Sequence, residues 1–152
     1  MPLTKIIDIN RRRVGLDTAD EDADLHFCQE TGALERLCIY GRMRPGGPDA
    51  HRLSPYGGEW AEGTFPGELQ GEMCTLDDCP GLAWSPTQTW NAGFVLTSNL
   101  LRDAWAELDA KEGDNYARLL TPVRVNGKDI VANIYTSRSA SLQALAALGA
   151  AG

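Results

Sequence analysis

The chain has 152 residues, 43% of them hydrophobic and 23% charged, which fits one globular domain with a real core. Its formal charge of -7 argues against nucleic acid, whose phosphates need a basic surface, and equally against an anionic membrane surface. No apolar run reaches membrane-span length, and "RRR" at Arg11 to Arg13 leads into polar residues, so neither a span nor a secretory signal is expected and a cytoplasmic location is the default.

Residues 1–36 read as a partly ordered N-terminal extension. Within it "LTKIIDI" has the look of a short strand. The acidic run Asp17, Asp20, Glu21, Asp22 and Asp24 reads as a solvated, partly mobile face. "ETGALERL" adds a helical turn. Residues 37–152 form the domain proper, with a helical tail.

From Leu37 onward strands dominate. "LCIY" is a short, fully apolar run, as in a buried strand. "GEWAEGTFPGEL", Gly58 to Leu69, alternates and carries glycines, which predicts a bent or bulged strand. "TWNAGFVLTS", Thr89 to Ser98, is a further strand. "LLTPVRVNGKDIVANIYTS" places Asn126-Gly127 between two β-branched runs, a strong hairpin signal, with Pro122 expected at an edge or a bulge.

One amphipathic helix stands between these strands, "SNLLRDAWAELDAKEG". Ser98 or Asn99 would cap it and Gly113 would stop it. A second helical stretch, "SASLQALAALGA", offers a Leu and Ala face for packing on the strands or on a partner. The four cysteines, Cys28, Cys38, Cys74 and Cys79, form no C-x-x-C pair, and their spacing with His26 and His51 supports no metal site. Cys38 reads as a buried small hydrophobe. Cys74 and Cys79 are near enough for a disulfide, but in the cytosol the reduced form is expected.

The helix carries one residue out of place. Leu101, Trp105 and Leu108 follow the i, i+4, i+7 stripe, and its continuation is Glu112. At 100° per residue this carboxylate falls on the apolar face, with Asp109 at the edge of that face. Burial and the negative end of the helix dipole both disfavour its anion. A carboxyl leaning neutral suits a general acid/base near pH 7. The other reading is that the helix frays before Glu112 and the side chain turns to water.

"CIYGRMRPGG" raises a second question. Gly41 and Gly46 have the spacing of a phosphate loop, but Gly47-Pro48 stands where Lys and Ser or Thr are needed. The phosphate reading is discarded. A turn after a buried strand presents backbone amides that can hold a carboxylate, with Arg42 and Arg44 adding charge, or it is an ordinary strand-to-loop exit.

Five motifs in order, from about Leu37 to Ser137, resemble the gamma-glutamylcyclotransferase-like family, in its gamma-glutamylamine cyclotransferase-like branch. They are "IYGRMRPGG", "WAEGTFPGEL", Pro80-Gly81-Leu82, "LDAKEGDNYAR", and the Asn-Gly hairpin closed by "ANIYTS". The resemblance implies an α+β fold, a small mixed β-barrel flanked by helices. It implies a reaction in which a γ-glutamyl amide gives 5-oxoproline and a free amine. Glu112 matches the family's general acid/base. Tyr40, Gly41, Arg42 and Met43 match the turn whose amides hold the γ-glutamyl group. Tyr116 and Tyr135 match pocket tyrosines, and Arg118 matches a position expected to form a structural ion pair. No metal or cofactor is required. The expected partner is a small molecule bearing a γ-glutamyl or related carboxylate group, and a homodimer is allowed.

The chain also departs from the pattern. Arg42 replaces a small polar residue, Met43 a leucine. Phe94 follows Gly93 where many relatives have Glu, and Lys111 stands where relatives often have an aromatic. The alternative to an enzyme is therefore a non-catalytic domain that binds a small acid on the same fold, since fold alone does not settle activity.

Overall fold

The computed structural model describes residues 3–41, 43–69, 81–87 and 89–151. In chain order they form α1 (Leu3–Arg13), α2 (Glu21–Thr31), β1 (Arg36–Ile39), β2 (Glu59–Pro66), β3 (Glu68–Leu69), β4 (Leu82–Ala83), β5 (Trp90–Thr97), α3 (Trp105–Glu112), β6 (Tyr116–Val125), β7 (Lys128–Ser137) and α4 (Arg138–Ala151), with short 3-10 turns between them. Five strands close into a barrel in the order β1-β5-β2-β6-β7. The closing β1–β7 pair is parallel and the others antiparallel, so the barrel is mixed. With its flanking helices the fold is α+β, as expected. No helix among the described residues is long and apolar enough to cross a membrane.

The strands lie where the apolar runs place them. β6 and β7 pair over their whole length and turn at Asn126 and Gly127, with φ of 51° and 78°. Both central residues then have positive φ, the conformation Asn-Gly accommodates most readily. Gly67, at φ 147°, separates β2 from β3 and makes the expected bend. Pro122 differs from expectation. It sits inside β6 opposite Val131, in a strand with neighbours on both sides. The registered contact of β6 with β2 is confined to Thr64 opposite Arg124, so Pro122 lies outside it.

Two further expectations are corrected. "LTKIIDI" is not a strand but most of α1. Ile6, Ile9 and Asn10 fall on one face of that helix and are buried, and this 3.6-residue period overrides the β-branched character of the isoleucines. The helix from Ser98 to Gly113 is not continuous. Residues Asn99–Asp103 form a 3-10 turn capped by the Ser98 hydroxyl, and α3 starts only at Trp105. Leu101, Trp105 and Leu108 are nonetheless all buried.

The segment before Leu37 packs on the barrel. Ile6, Ile9, Val14, Phe27 and Cys28 belong to the same core cluster as Trp84, Leu119 and Ile134. The acidic run is divided in its roles. Asp20 caps α2 through the Ala23 amide, and Asp24 pairs with Arg13. α4 buries Leu145 against this core, and its Ser141 hydroxyl donates to the Leu82 carbonyl and accepts from the Trp84 amide.

Asn10 does most to fasten α1. Its Nδ2 donates to the Leu120 carbonyl at 2.8 Å, and its Oδ1 accepts from the Leu120 amide at 2.7 Å. The side chain is fully buried and stands in for a neighbouring strand. Asn10→Ala is expected to cost about 3 kcal/mol in urea unfolding, because a buried donor and a buried acceptor both lose their partner.

Candidate functional site

The end of β1 delivers Tyr40 to a crowded corner. Its hydroxyl donates to the Tyr135 carbonyl at 2.8 Å and also has a backbone hydrogen bond with Leu82. Burial pushes the hydroxyl's pKa well above the usual tyrosine value, with smaller contributions from Tyr116 and Glu112. The ring lies 5.5 Å from Phe65. Gly81, at φ 78°, closes the corner. A Cβ there would stand 3.3 Å from the Tyr40 hydroxyl, 3.4 Å from the Tyr116 ring and 3.1 Å from the Ser137 amide. The structure thus brings together Tyr40, Gly81, Tyr116 and the strand bearing Tyr135.

The turn after Tyr40 is held by Arg44, whose amide and guanidinium both donate to the Gly41 carbonyl, at 3.1 and 3.0 Å. Met43 is half-buried and packs against the core cluster to which Leu37, Ile39 and Leu53 belong. Arg42 lies outside the described residues, as do Cys74, Cys79 and Pro80. Phe94 is half-buried in β5 opposite Ile39. Lys111 is exposed and pairs with Glu107 one turn back, so it does not take the place of a pocket aromatic.

Glu112 ends α3, and Gly113 stops the helix with its amide donating to the Asp109 carbonyl at 3.1 Å. The helix does not fray before Glu112, and the side chain is half-buried. Its carboxyl pKa is raised. Burial is the main cause, the Arg52 cation opposes it, and the Asp109 charge adds to it. Glu112 is close enough to Tyr40 and Tyr135 for its charge to raise both hydroxyls. A protonatable carboxyl, two tyrosines and an exposed arginine therefore share one end of the barrel. That set can move a proton and hold an anion.

The residues beside Glu112 form a hydrogen-bonded group whose connections the sequence did not show. Tyr135 is buried, and its hydroxyl donates to Asp109 Oδ1 at 2.7 Å. Arg118 grips the same carboxylate with Nε at 2.9 Å and Nη2 at 3.3 Å, the structural ion pair expected of it. Its guanidinium stacks 4.7 Å above the Trp105 ring, and Trp105 Nε1 donates to the Leu34 carbonyl. Asp109 had been placed at the edge of the apolar face; its hydrogen bonds make it a hub. The signal for it was the Asp109 to Arg118 spacing across the helix-to-strand turn. Arg52 carried no signal, because only the folded chain sets it near Glu112.

A cavity of about 640 Å³ lies beside these residues. Arg13, Asp24, Asp109, Arg118, Tyr116 and Tyr135 are among its lining residues, whereas Tyr40 and Glu112 are not. Tyr116 and Tyr135 thus border a charged recess lined by residues of α1 and α2, and both also lie near Tyr40. Cys28 lies in that recess, and burial pushes its thiol up to about 11, which makes it unreactive near neutral pH.

No family model matches the chain, and no curated protein matches it. Solved structures do. A mouse protein described as AIG2-like (GGACT) is 20% identical, with 68% of this chain and 76% of that one covered and a TM-score of 0.49. At5g39720.1 from Arabidopsis thaliana is 22% identical, with 68% of each chain covered and a TM-score of 0.49. At3g28950.1 from Arabidopsis thaliana is 14% identical, with 70% of this chain covered and a TM-score of 0.51. The match spans 63% of that protein, less than two thirds of its length. At these identities the likeness is one of fold, and the chain shares its fold with At3g28950.1.

Proposed function

We propose that the protein is a cyclotransferase that releases 5-oxoproline and a free amine from a γ-glutamyl amide, the γ-glutamylamines included. The observation that carries this reading is Glu112, half-buried on the last turn of α3 with its carboxyl pKa raised, beside Tyr40 and Tyr135. The motif resemblance from Leu37 to Ser137 supports it.

The reaction is intramolecular. The substrate's α-amino nitrogen attacks its own γ-carbonyl carbon, a ring C–N bond forms, and the amide C–N bond breaks. Glu112 takes a proton from the attacking nitrogen and returns one to the leaving amine. Atoms balance without water or any co-reactant. Proximity supplies much of the acceleration, because nucleophile and electrophile belong to one molecule. Proton transfer by a carboxyl whose pKa burial raises supplies much of the rest. Backbone amides of the Tyr40-Gly41-Arg42-Met43 turn would hold the γ-glutamyl group, and Arg52 would meet its carboxylate.

Incubation with a panel of γ-glutamyl dipeptides and γ-glutamylamines tests the reading. 5-Oxoproline from at least one of them is expected. A panel that yields none overturns it.

One observation favours a second reading. Arg52 opposes the rise in the Glu112 pKa and so pulls the carboxyl back toward its anion, the form less suited to returning a proton to a leaving amine. On that reading the domain binds a small acid without turnover. Calorimetric binding of 5-oxoproline or glutamate, with no product from the panel, is its expected signature.

A further inference from the structure

A series of hydrogen-bonded residues, covalently bridged at Tyr135, leads from the Tyr40 corner to α2. Tyr40 donates to the Tyr135 carbonyl at 2.8 Å, and the Tyr135 hydroxyl donates to Asp109 at 2.7 Å. Asp109 accepts from Arg118, and Arg118 Nη1 donates to Asn133 Oδ1 at 2.8 Å. That same amide oxygen accepts from Arg13 Nη1 at 2.9 Å. Arg13 closes the run on Asp24, with Nε at 2.7 Å and Nη2 at 2.6 Å.

Arg13 is fully engaged. Its Nε and both Nη groups reach Asp24, Asn133, the Arg118 carbonyl at 3.1 Å and the Cys28 sulfur at 3.4 Å, which uses the five donors a guanidinium has. Two cations sharing one amide oxygen repel. They are tolerated here because each has its own carboxylate, Asp24 for Arg13 and Asp109 for Arg118. Asn133 is itself oriented by Nδ2, which donates to the Ala33 carbonyl at 2.8 Å. Such a buried ionic group is often no more stabilising than an apolar one of similar size. Stability alone is therefore a weak reason for it, and the direction of its bonds matters more.

Those bonds end on α3. The helix has eight residues and no side-chain cap at its N-terminus, too short to hold itself. Glu112 sits three residues beyond Asp109, and the helix's terminal amide bond, from Gly113, lands on the Asp109 carbonyl. What fixes Asp109 fixes the turn that presents Glu112.

We infer that Arg13, with Asp24, is a positioning residue for the candidate site, acting through Asn133, Arg118 and Asp109 on the last turn of α3. The N-terminal helix pair is thereby part of the site's support. This rests on the reading of Glu112 as the acid/base. Among the described residues, the charged and titratable groups that interact with Glu112 are Asp109 from its own helix, Arg52 from the 3-10 turn Ala50–Arg52, Tyr40 from the end of β1 and Tyr135 from β7.

The test uses two full-length variants. Arg13→Lys keeps the charge and loses the fork. Arg13→Met combined with Asp24→Leu removes both ionic partners, so no buried charge is stranded and the chain still folds. For both, kcat for 5-oxoproline release should fall about ten- to a hundredfold with KM within about twofold of wild type, as expected when a reacting group is misplaced. In the double variant, loosening of the Arg118 grip leaves the Asp109 charge less neutralised. The Glu112 titration, followed by carboxyl ¹³C NMR, should then move upward in pH. Unchanged kcat and an unchanged titration, with only a lowered Tm, would overturn the inference while leaving Glu112 in its role. A wild type inactive on every substrate overturns that role instead, and the titration alone then decides: an upward move supports the inference and superposition sinks it.

Discussion

Arg13→Met alone is expected to destabilise the fold by about 2–3 kcal/mol, somewhat below the range for a fully buried ion pair because both partners are only partly buried. Arg13 exposes only 13% of its side chain and Asp24 25%, so the remaining carboxylate cannot reach full hydration. Burial by itself would raise the Asp24 pKa, yet the Arg13 hydrogen bond and charge hold it below the usual carboxylate value. Without Arg13, Asn133 and the Arg118 carbonyl also lose a donor. Removing Asp24 as well should recover most of the loss, because the stranded charge is gone. Urea unfolding of the single and double variants checks this, and equal destabilisation of the two would contradict it.

The strands and Glu112 were legible because each rests on a local period. β6 and β7 announce themselves through Asn126-Gly127 between β-branched runs. Glu112 is legible because Leu101, Trp105 and Leu108 define a face that it continues. The break at Ala104 did not disturb that reading, since the buried positions kept their order across the 3-10 turn. α1 was misread because Ile6 and Ile7 carry strand character, although Ile6, Ile9 and Asn10 already had helical spacing. Arg13 was not legible as a site residue. Its partner Asn133 is 120 residues away, and within "RRR" nothing local separates Arg13 from Arg12. Arg52 was missed for the same reason, because its role depends on which elements the barrel brings together, whereas Asp109 was placed at the edge of the apolar face without its role as a hub.

Glu112→Gln is expected to lower the rate of 5-oxoproline formation by about 10²–10⁴, the usual contribution of a positioned acid/base. Gln keeps the shape and the hydrogen-bonding ends but cannot take the proton of the attacking nitrogen. The same substitution should stabilise the fold at neutral pH. The carboxyl pKa is raised in the folded protein, chiefly by burial, so the folded state holds the proton more tightly than the unfolded chain. The stability tied to the neutral form is fully present below the unfolded value of about 4.3 and is lost as pH rises through the folded one. At pH 7 wild type therefore bears the cost of a partly buried anion, and Gln does not. Thermal melts should place Glu112→Gln above wild type at pH 7, with the gap closing as pH falls below about 4.

The most direct measurement is the 5-oxoproline released from the γ-glutamyl panel by wild type and by Glu112→Gln, at equal protein concentration and with both variants shown to be folded. The account predicts product from wild type with at least one substrate and a loss of about 10²–10⁴ in the variant. Equal release by the two proteins would contradict it.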